Sequence, residues 1–211
     1  FYQYVKNFGY LERTGIDLPG EARGIFYNEK NFGIVDLAVS SFGQNFKITP
    51  VQHLSAIGAV ANGGHLLTPH VVKKITDGSG NVIQSATVTT KRQVISSQVC
   101  STISTILQEG VSGNGGASNA YVAGYRIAAK TGTSEKVGDN RDAYICSCVA
   151  YAPAENPKVA ALIMVDEPTK GLLYGSAVAA PYIARLMETI LPYMGVEAVY
   201  TDKELEQLAI T

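Results

Sequence analysis

Cysteine is scarce in this chain. Cys100, Cys146 and Cys148 are too few for a disulfide framework, and their odd number leaves at least one thiol free. A surplus of one charge is also missing. Seventeen basic residues against 18 acidic ones give a net charge of -1, so no basic face is advertised and nucleic acid is excluded as an expected partner. Long hydrophobic runs are absent too. The longest, Val159 to Val165, falls far short of the ~20 residues that cross a bilayer. The chain opens at Phe1 without methionine, basic leader or cleavage-site pattern, so any targeting or anchoring segment is expected upstream or already removed. His53, His65 and His70 lack the H-E-x-x-H spacing of a zinc site and read as surface or capping histidines; no cofactor or metal is expected. One metal alternative stays open. Cys146 and Cys148 lie two apart in a strand-like run, which would put both sulfurs on one face, although small thiols more often fill cores.

What is present suffices for a buried core. A chain of 211 residues with 46% hydrophobic content fits one domain of ordinary size, here taken as 1–211 with no internal boundary, repeat or low-complexity segment. Phe1 to Gly9 reads as the end of a helix, and Thr14-Gly-Ile-Asp-Leu-Pro-Gly-Glu21 as a loop. Helices are predicted over Val35 to Phe42 and from Thr49-Pro-Val-Gln52, where threonine, proline and glutamine spell a capping box, up to Asn62-Gly-Gly64. Val71 to Ser85 predicts a hairpin around Asp77-Gly-Ser-Gly-Asn81. A further helix, capped by Ser96 or Ser97, carries Val99, Ile103, Ile106 and Leu107 at helical spacing and should stop at Gly110. Three strands follow: Val122 to Thr133, Ala143 to Ala152 and Lys158 to Val165. Short loops containing Gly138-Asp-Asn140 and Pro153 to Pro157 favour an antiparallel meander. The third strand, apolar on both faces, should lie inside a sheet covered by helices, one of them Ser176 to Tyr193 with Ile183, Leu186, Met187, Ile190, Leu191 and Met194 on one side. The expected class is α/β (α+β), an antiparallel sheet flanked by helices.

The chemistry concentrates in Ala128-Ala-Lys130-Thr131-Gly132-Thr133-Ser134. A lysine, hydroxyls and a glycine at a strand end can line a pocket that holds a carboxylate while an acyl group is transferred. The tripeptide Lys-Thr-Gly alone is weak evidence, but other stretches accompany it in order: Thr14-Gly-Ile-Asp-Leu-Pro-Gly-Glu, Ser41-Phe-Gly-Gln-Asn, Ile48-Thr-Pro-Val-Gln, Ala61-Asn-Gly-Gly, Gly124-Tyr-Arg, Tyr151-Ala-Pro-Ala and Ala179-Ala-Pro. Together they resemble the C-terminal part of the transpeptidase domain of class B penicillin-binding proteins, the sporulation and cell-division members of Gram-positive bacteria in particular.

The resemblance implies a penicillin-binding-protein or β-lactamase-like fold whose N-terminal part is missing here. It also implies a site that cross-links peptidoglycan stem peptides and is acylated by β-lactams. Three motifs converge in that family: S-x-x-K, S-x-N and K-T-G. Only the last is present, because no lysine here has a serine three residues before it. Ser79-Gly-Asn81 and Ser112-Gly-Asn114 match S-x-N in spelling but fall in turn and loop sequence, so the nucleophile and the family's S-x-N are expected upstream. Lys130, Thr131, Gly132 and Thr133 then form the catalytic strand. The Thr133 amide would be an oxyanion donor, and Lys130 would supply positive potential and hold the S-x-N serine. The hydroxyls of Thr131 and Thr133, with Lys130 and Ser134, would bind the terminal carboxylate of substrate or penicillin. A side chain at Gly132 would keep substrate backbone off the strand. Ala129 and Ser134 depart from the glycine and alanine common in the family, but both are small.

The fragment alone is expected to be inactive, and the parent protein to sit on the outer face of the bacterial membrane. The bare edge of the third strand should pair with the upstream half of the same domain or with a second copy. Two alternatives remain: a non-catalytic relative that binds peptidoglycan or division partners, and a related carboxypeptidase or β-lactamase sharing only the Lys-Thr-Gly strand.

Overall fold

The computed structural model describes residues 1–113, 115–136 and 143–209. The chain divides into two compact units, 1–97 and 98–211. The expected loop at Gly138-Asp-Asn140 and the second S-x-N match, which ends at Asn114, lie outside the described residues.

The first unit holds α1 (Tyr2–Asn7), α2 (Ile34–Ser40), α3 (Pro50–Ala61), β1 (His65–Thr68), β2 (Lys74–Thr76), β3 (Val82–Ser85) and β4 (Thr89–Gln93). Helix α3 begins where its capping signal predicts. The Gln52 amide donates to Thr49 Oγ1 at 3.2 Å, and Gln52 Oε1 accepts from the Thr49 amide at 2.9 Å. Gln52 does more than cap: at 1% exposure its Nε2 donates to the carbonyls of Tyr10 and Glu12 at 3.3 and 2.6 Å, tying the helix start to residues 9–12. After α3 the chain turns at Gly64, where a Cβ would lie 1.9 Å from the Ile95 carbonyl oxygen, and enters β1, which pairs antiparallel with β4. Strands β2 and β3 form the expected hairpin. Within its turn the Asp77 carboxylate accepts from the Ser79 and Asn81 amides and from Asn81 Nδ2, so Ser79-Gly-Asn81 is turn chemistry.

The Thr14 to Glu21 loop is held by its own acids. Glu21 accepts from the Thr14 amide and hydroxyl and from the Gly15 amide, while Asp17 accepts from the amides of Val71 and Val72. Those two amides hold the Asp17 carboxyl below the usual carboxylate range. One histidine departs from expectation. His53 is half-buried with Nδ1 3.0 Å from the Tyr10 hydroxyl, and burial lowers its pKa, so it belongs to the interior of this unit and not to a surface or cap.

The second unit contains α4 (Ser97–Ser112), β5 (Ala128–Glu135), β6 (Tyr144–Ala152), β7 (Val159–Asp166), α5 (Gly175–Val178), α6 (Ala180–Tyr193) and α7 (Asp202–Ala209). The sheet order is β5-β6-β7, the antiparallel meander that the short connections imply. Its centre is β6, not β7. Cys146, Cys148 and Val149 to Ala152 are buried, while β7 is mostly half-buried and, among the described residues, pairs only with β6. A meander of three places its second strand in the middle, whatever the apolarity of the third. One face packs on α6 through Ala129, Cys148, Ala150 and Ala152 against Ile183, Met187 and Leu191. Met194, expected on that stripe, is 45% exposed.

The larger departures from the sequence reading lie in the second unit. Helix α4 runs past Gly110 to Ser112, because Val111, 3% exposed, joins the core and holds the last turn. The first strand begins at Ala128, since Val122 to Tyr125 forms a tight turn in which Gly124 adopts φ +77°. The C-terminal segment claims that turn: the Val199 amide donates to the Gly124 carbonyl, and Ala198 and Tyr200 come within 2.8–2.9 Å of where a Gly124 Cβ would be. The predicted last helix is two, a single turn α5 and then α6, which has proline near its start.

Candidate active-site strand

Strand β5 positions Lys130-Thr131-Gly132-Thr133-Ser134 as one extended stretch. Its register on β6 is Lys130 opposite Val149, Thr131 opposite Cys148, Gly132 opposite Ser147 and Thr133 opposite Cys146. Alternation puts Lys130, Gly132 and Ser134 on one face and Thr131 and Thr133 on the other. The Lys130 face is that of Tyr151, whose hydroxyl is 2.8 Å from Ser104 Oγ on α4. The threonine face is that of α5 and α6. Among the described residues β5 pairs on one side only, so its outer edge presents backbone donors and acceptors.

Each expected site residue has a definite environment. Lys130 is exposed, and its Nζ donates to the Thr131 carbonyl at 2.7 Å. The two threonines differ in hydrogen-bond sense. Thr131 Oγ1 donates to the Gly116 carbonyl at 3.2 Å, whereas Thr133 Oγ1 accepts from the Gly175 amide at 3.0 Å. A carboxylate could therefore bind Thr131 Oγ1 as a donor only by replacing Gly116. Ser134 Oγ makes a long contact, 3.4 Å, to the Glu135 carbonyl.

Gly132 is enclosed from two directions. A Cβ there would lie 2.7 Å from Ser147 Oγ, and on the opposite face the buried Gly175 rests on the Gly132 backbone. Here the need for glycine follows from neighbours within the chain as well as from the room an incoming peptide would need. At the far end Lys136 Nζ bridges Asp166 Oδ1 at 3.0 Å and Glu167 Oε1 at 2.7 Å, joining the end of β5 to that of β7.

Cys146 and Cys148 share the threonine face, both fully buried. Burial pushes the Cys148 thiol up to about 12, against the opposing pull of the Lys130 charge. Among the described residues no cluster of three or more histidine, cysteine or acidic side chains stands ready for a metal, so the pair lacks a third ligand.

Sequence reasoning missed the partners of this strand. Gly116, Asn119, Ser147 and Gly175 surround it, with Asn119 Nδ2 donating to the Ser176 carbonyl at 2.8 Å. Of these only Gly175 left a trace, a glycine shortly before Ala179-Ala-Pro181.

In the second unit a Lys-Thr-Gly-Thr strand lies at the edge of an antiparallel sheet among the described residues, with helices on both faces of that sheet and the buried Gly175 beneath it. The chain belongs to the penicillin-binding protein transpeptidase domain family, whose model matches residues 1–188. Stage V sporulation protein D of Bacillus subtilis is 37% identical over 200 residues, covering 93% of this chain and 31% of that protein. Peptidoglycan D,D-transpeptidase FtsI of Escherichia coli K12 is 30% identical over 193 residues, covering 90% and 31%. Penicillin-binding protein 3 of Mycobacterium tuberculosis, solved in complex with ampicillin, superposes with a TM-score of 0.84 at 25% identity, covering 95% of this chain and 47% of that one. The chain thus spans about a third of the length of the curated relatives it matches.

Proposed function

We propose that this chain is the C-terminal portion of one transpeptidase domain, both units included, in a protein that cross-links peptidoglycan and is acylated by β-lactams. The observation that carries the reading is the Lys130 to Thr133 edge strand in a chain of this family, with one side unpaired among the described residues. An extended D-alanyl peptide adds to such an edge by backbone pairing. A serine outside these 211 residues attacks its penultimate carbonyl, the peptide C–N bond breaks, and the terminal D-alanine leaves with a proton. The amine of a second stem peptide then takes the acyl group, restoring the serine hydroxyl. With penicillin the ring amide opens instead and the leaving nitrogen stays tethered.

Lys130 supplies positive potential and holds a serine of the family's S-x-N motif, while the Thr133 amide faces the oxyanion. Thr133 Oγ1 donates to the terminal carboxylate, Thr131 joins when it exchanges its bond to Gly116, and Ser134 lines the same strand. On this reading the protein sits at the outer face of the bacterial membrane, held by a segment outside this chain, and the likeness to stage V sporulation protein D and FtsI supports that reading; no described helix is long and apolar enough to cross a membrane. A role in sporulation or division follows the names of the relatives.

The test is the intact mass of the full-length protein before and after penicillin, with the 211-residue chain as control. An adduct on the former alone supports the reading. Its absence there shifts the assignment to a peptidoglycan-binding relative, and an adduct on the short chain refutes the upstream position of the nucleophile.

A further inference from the structure

We propose that the cavity between the end of α4 and the start of α7 is a second binding site, one that takes the free carboxylate end of a peptide; that the peptide is a peptidoglycan stem rests on the transpeptidase reading above. The cavity holds about 510 Å³ and lies within the second unit, and among the described residues none of β5 lines it. Its volume falls in the ordinary range of small-ligand pockets, roughly 300–1,000 Å³. One wall comes from Thr201 to Gln207, beyond residue 188 where the family match ends, so the acyl-transfer strand does not account for it.

Charge decides what the cavity accepts. Arg126, Lys203 and Glu204 are the charged side chains of its lining. The Glu204 carboxylate is spent inside the fold, because Oε1 accepts from the Tyr121 hydroxyl and the Gly124 amide, and Oε2 from the Thr201 amide and hydroxyl. The lining therefore offers an incoming ligand two cations. Arg126 is held in place, with Nη1 3.7 Å from Glu204 and Nη2 donating to the Val199 carbonyl at 3.3 Å. A guanidinium has five N–H donors, and one already fixed by such contacts loses little freedom when it pairs with a carboxylate. Lys203, exposed and next to Glu204 in the chain, adds the second positive charge.

The rest of the lining suits a peptide better than a bare anion. Gln108 and Gln207 each carry a donor and an acceptor, the pair that a peptide group presents. Gln108 Nε2 donates to Ser112 Oγ at 3.3 Å, an exposed bond that an incoming carbonyl can replace. Val111 and the partly exposed Tyr121 ring supply apolar surface for a small side chain.

The experiment first occupies the acyl-transfer serine. Full-length protein saturated with benzylpenicillin is titrated with N-acetyl-D-alanyl-D-alanine and with its C-terminal amide, binding being followed by ligand-observed NMR, for wild type, Lys203→Glu and Ser112→Trp. The wild type should bind the acid roughly tenfold more tightly than the amide, the scale of one charge-assisted hydrogen bond. Lys203→Glu should erase that preference, and Ser112→Trp, which fills the cavity, should abolish binding of both. Lys203 and Ser112 are exposed, so both variants should keep the wild-type melting temperature. Equal binding of acid and amide by the wild type, an unchanged ratio in Lys203→Glu, or no binding to the penicillin-blocked protein would overturn the proposal. If penicillin leaves no adduct, the transpeptidase reading fails instead, and the same titration of the unmodified protein still decides on the cavity.

Discussion

Lys130 and Glu204 show how differently two charged residues of one unit can be used. Lys130 is exposed on the edge strand, so its replacement removes little packing. In the full-length protein Lys130→Ala should leave the melting temperature within a degree or two and slow acylation by penicillin roughly a hundredfold or more. Unchanged acylation would sink its assignment. Glu204 is buried at 6% exposure and accepts from the amides of Thr201 and Gly124 and the hydroxyls of Thr201 and Tyr121, with Arg126 3.7 Å away. Burial opposes its ionisation, yet these donors, the Thr201 amide foremost, outweigh it and bring the carboxyl from 4.5 down to about 2. The folded pKa is the lower one, so the stabilisation is complete above pH 4.5 and is lost as pH falls toward 2. Glu204→Gln should therefore lower stability at neutral pH by a few kcal/mol and flatten the acid limb of the pH–stability curve, read by urea unfolding. Parallel curves for the two proteins would refute that role.

Among the elements, α3 illustrates what local sequence can and cannot announce. Thr49-Pro-Val-Gln52 specified its start because a cap is local chemistry. Nothing local announces that Gln52 also holds two carbonyls some forty residues away. Gln52→Ala should accordingly cost clearly more than Thr49→Ala, which forfeits a cap worth about 1 kcal/mol, in urea midpoints on this unit. Equal losses would reduce Gln52 to a cap. The same divide runs through the rest of the fold. The β2–β3 hairpin and the meander were legible from turn residues and period, but β1 and β4, four and five residues long, offer too short a pattern. Helix α7 was spelled by Thr201-Asp-Lys-Glu204, a capping box, yet went unread because Leu205 and Leu208 make no buried stripe. In the site strand, Lys130 to Thr133 were legible as a motif. Gly116, Ser147 and Gly175 were not, since their contact with it is made by folding alone.

At the scale of the whole molecule, much apolar surface is unclaimed by the chain itself. Ile34, Val35 and Phe42 in the first unit are 69–78% exposed, and in the second β7, which pairs only with β6 among the described residues, carries Met164 at 43%. An unpaired apolar edge recruits a strand. These 211 residues on their own should therefore associate at tens of micromolar, as read by light scattering on a sizing column, and Met164→Lys should shift the distribution toward monomer. A monodisperse monomer for the unaltered chain would count against the edge as an adhesive surface.

The three thiols lend the second unit a built-in clock. All are buried, and burial raises each above its ordinary acidity range, so none reacts at leisure while the sheet is closed. Alkylation of Cys148, directly across from Thr131, then marks the moments when β5 lifts from β6, and its rate measures how often that edge strand lets go.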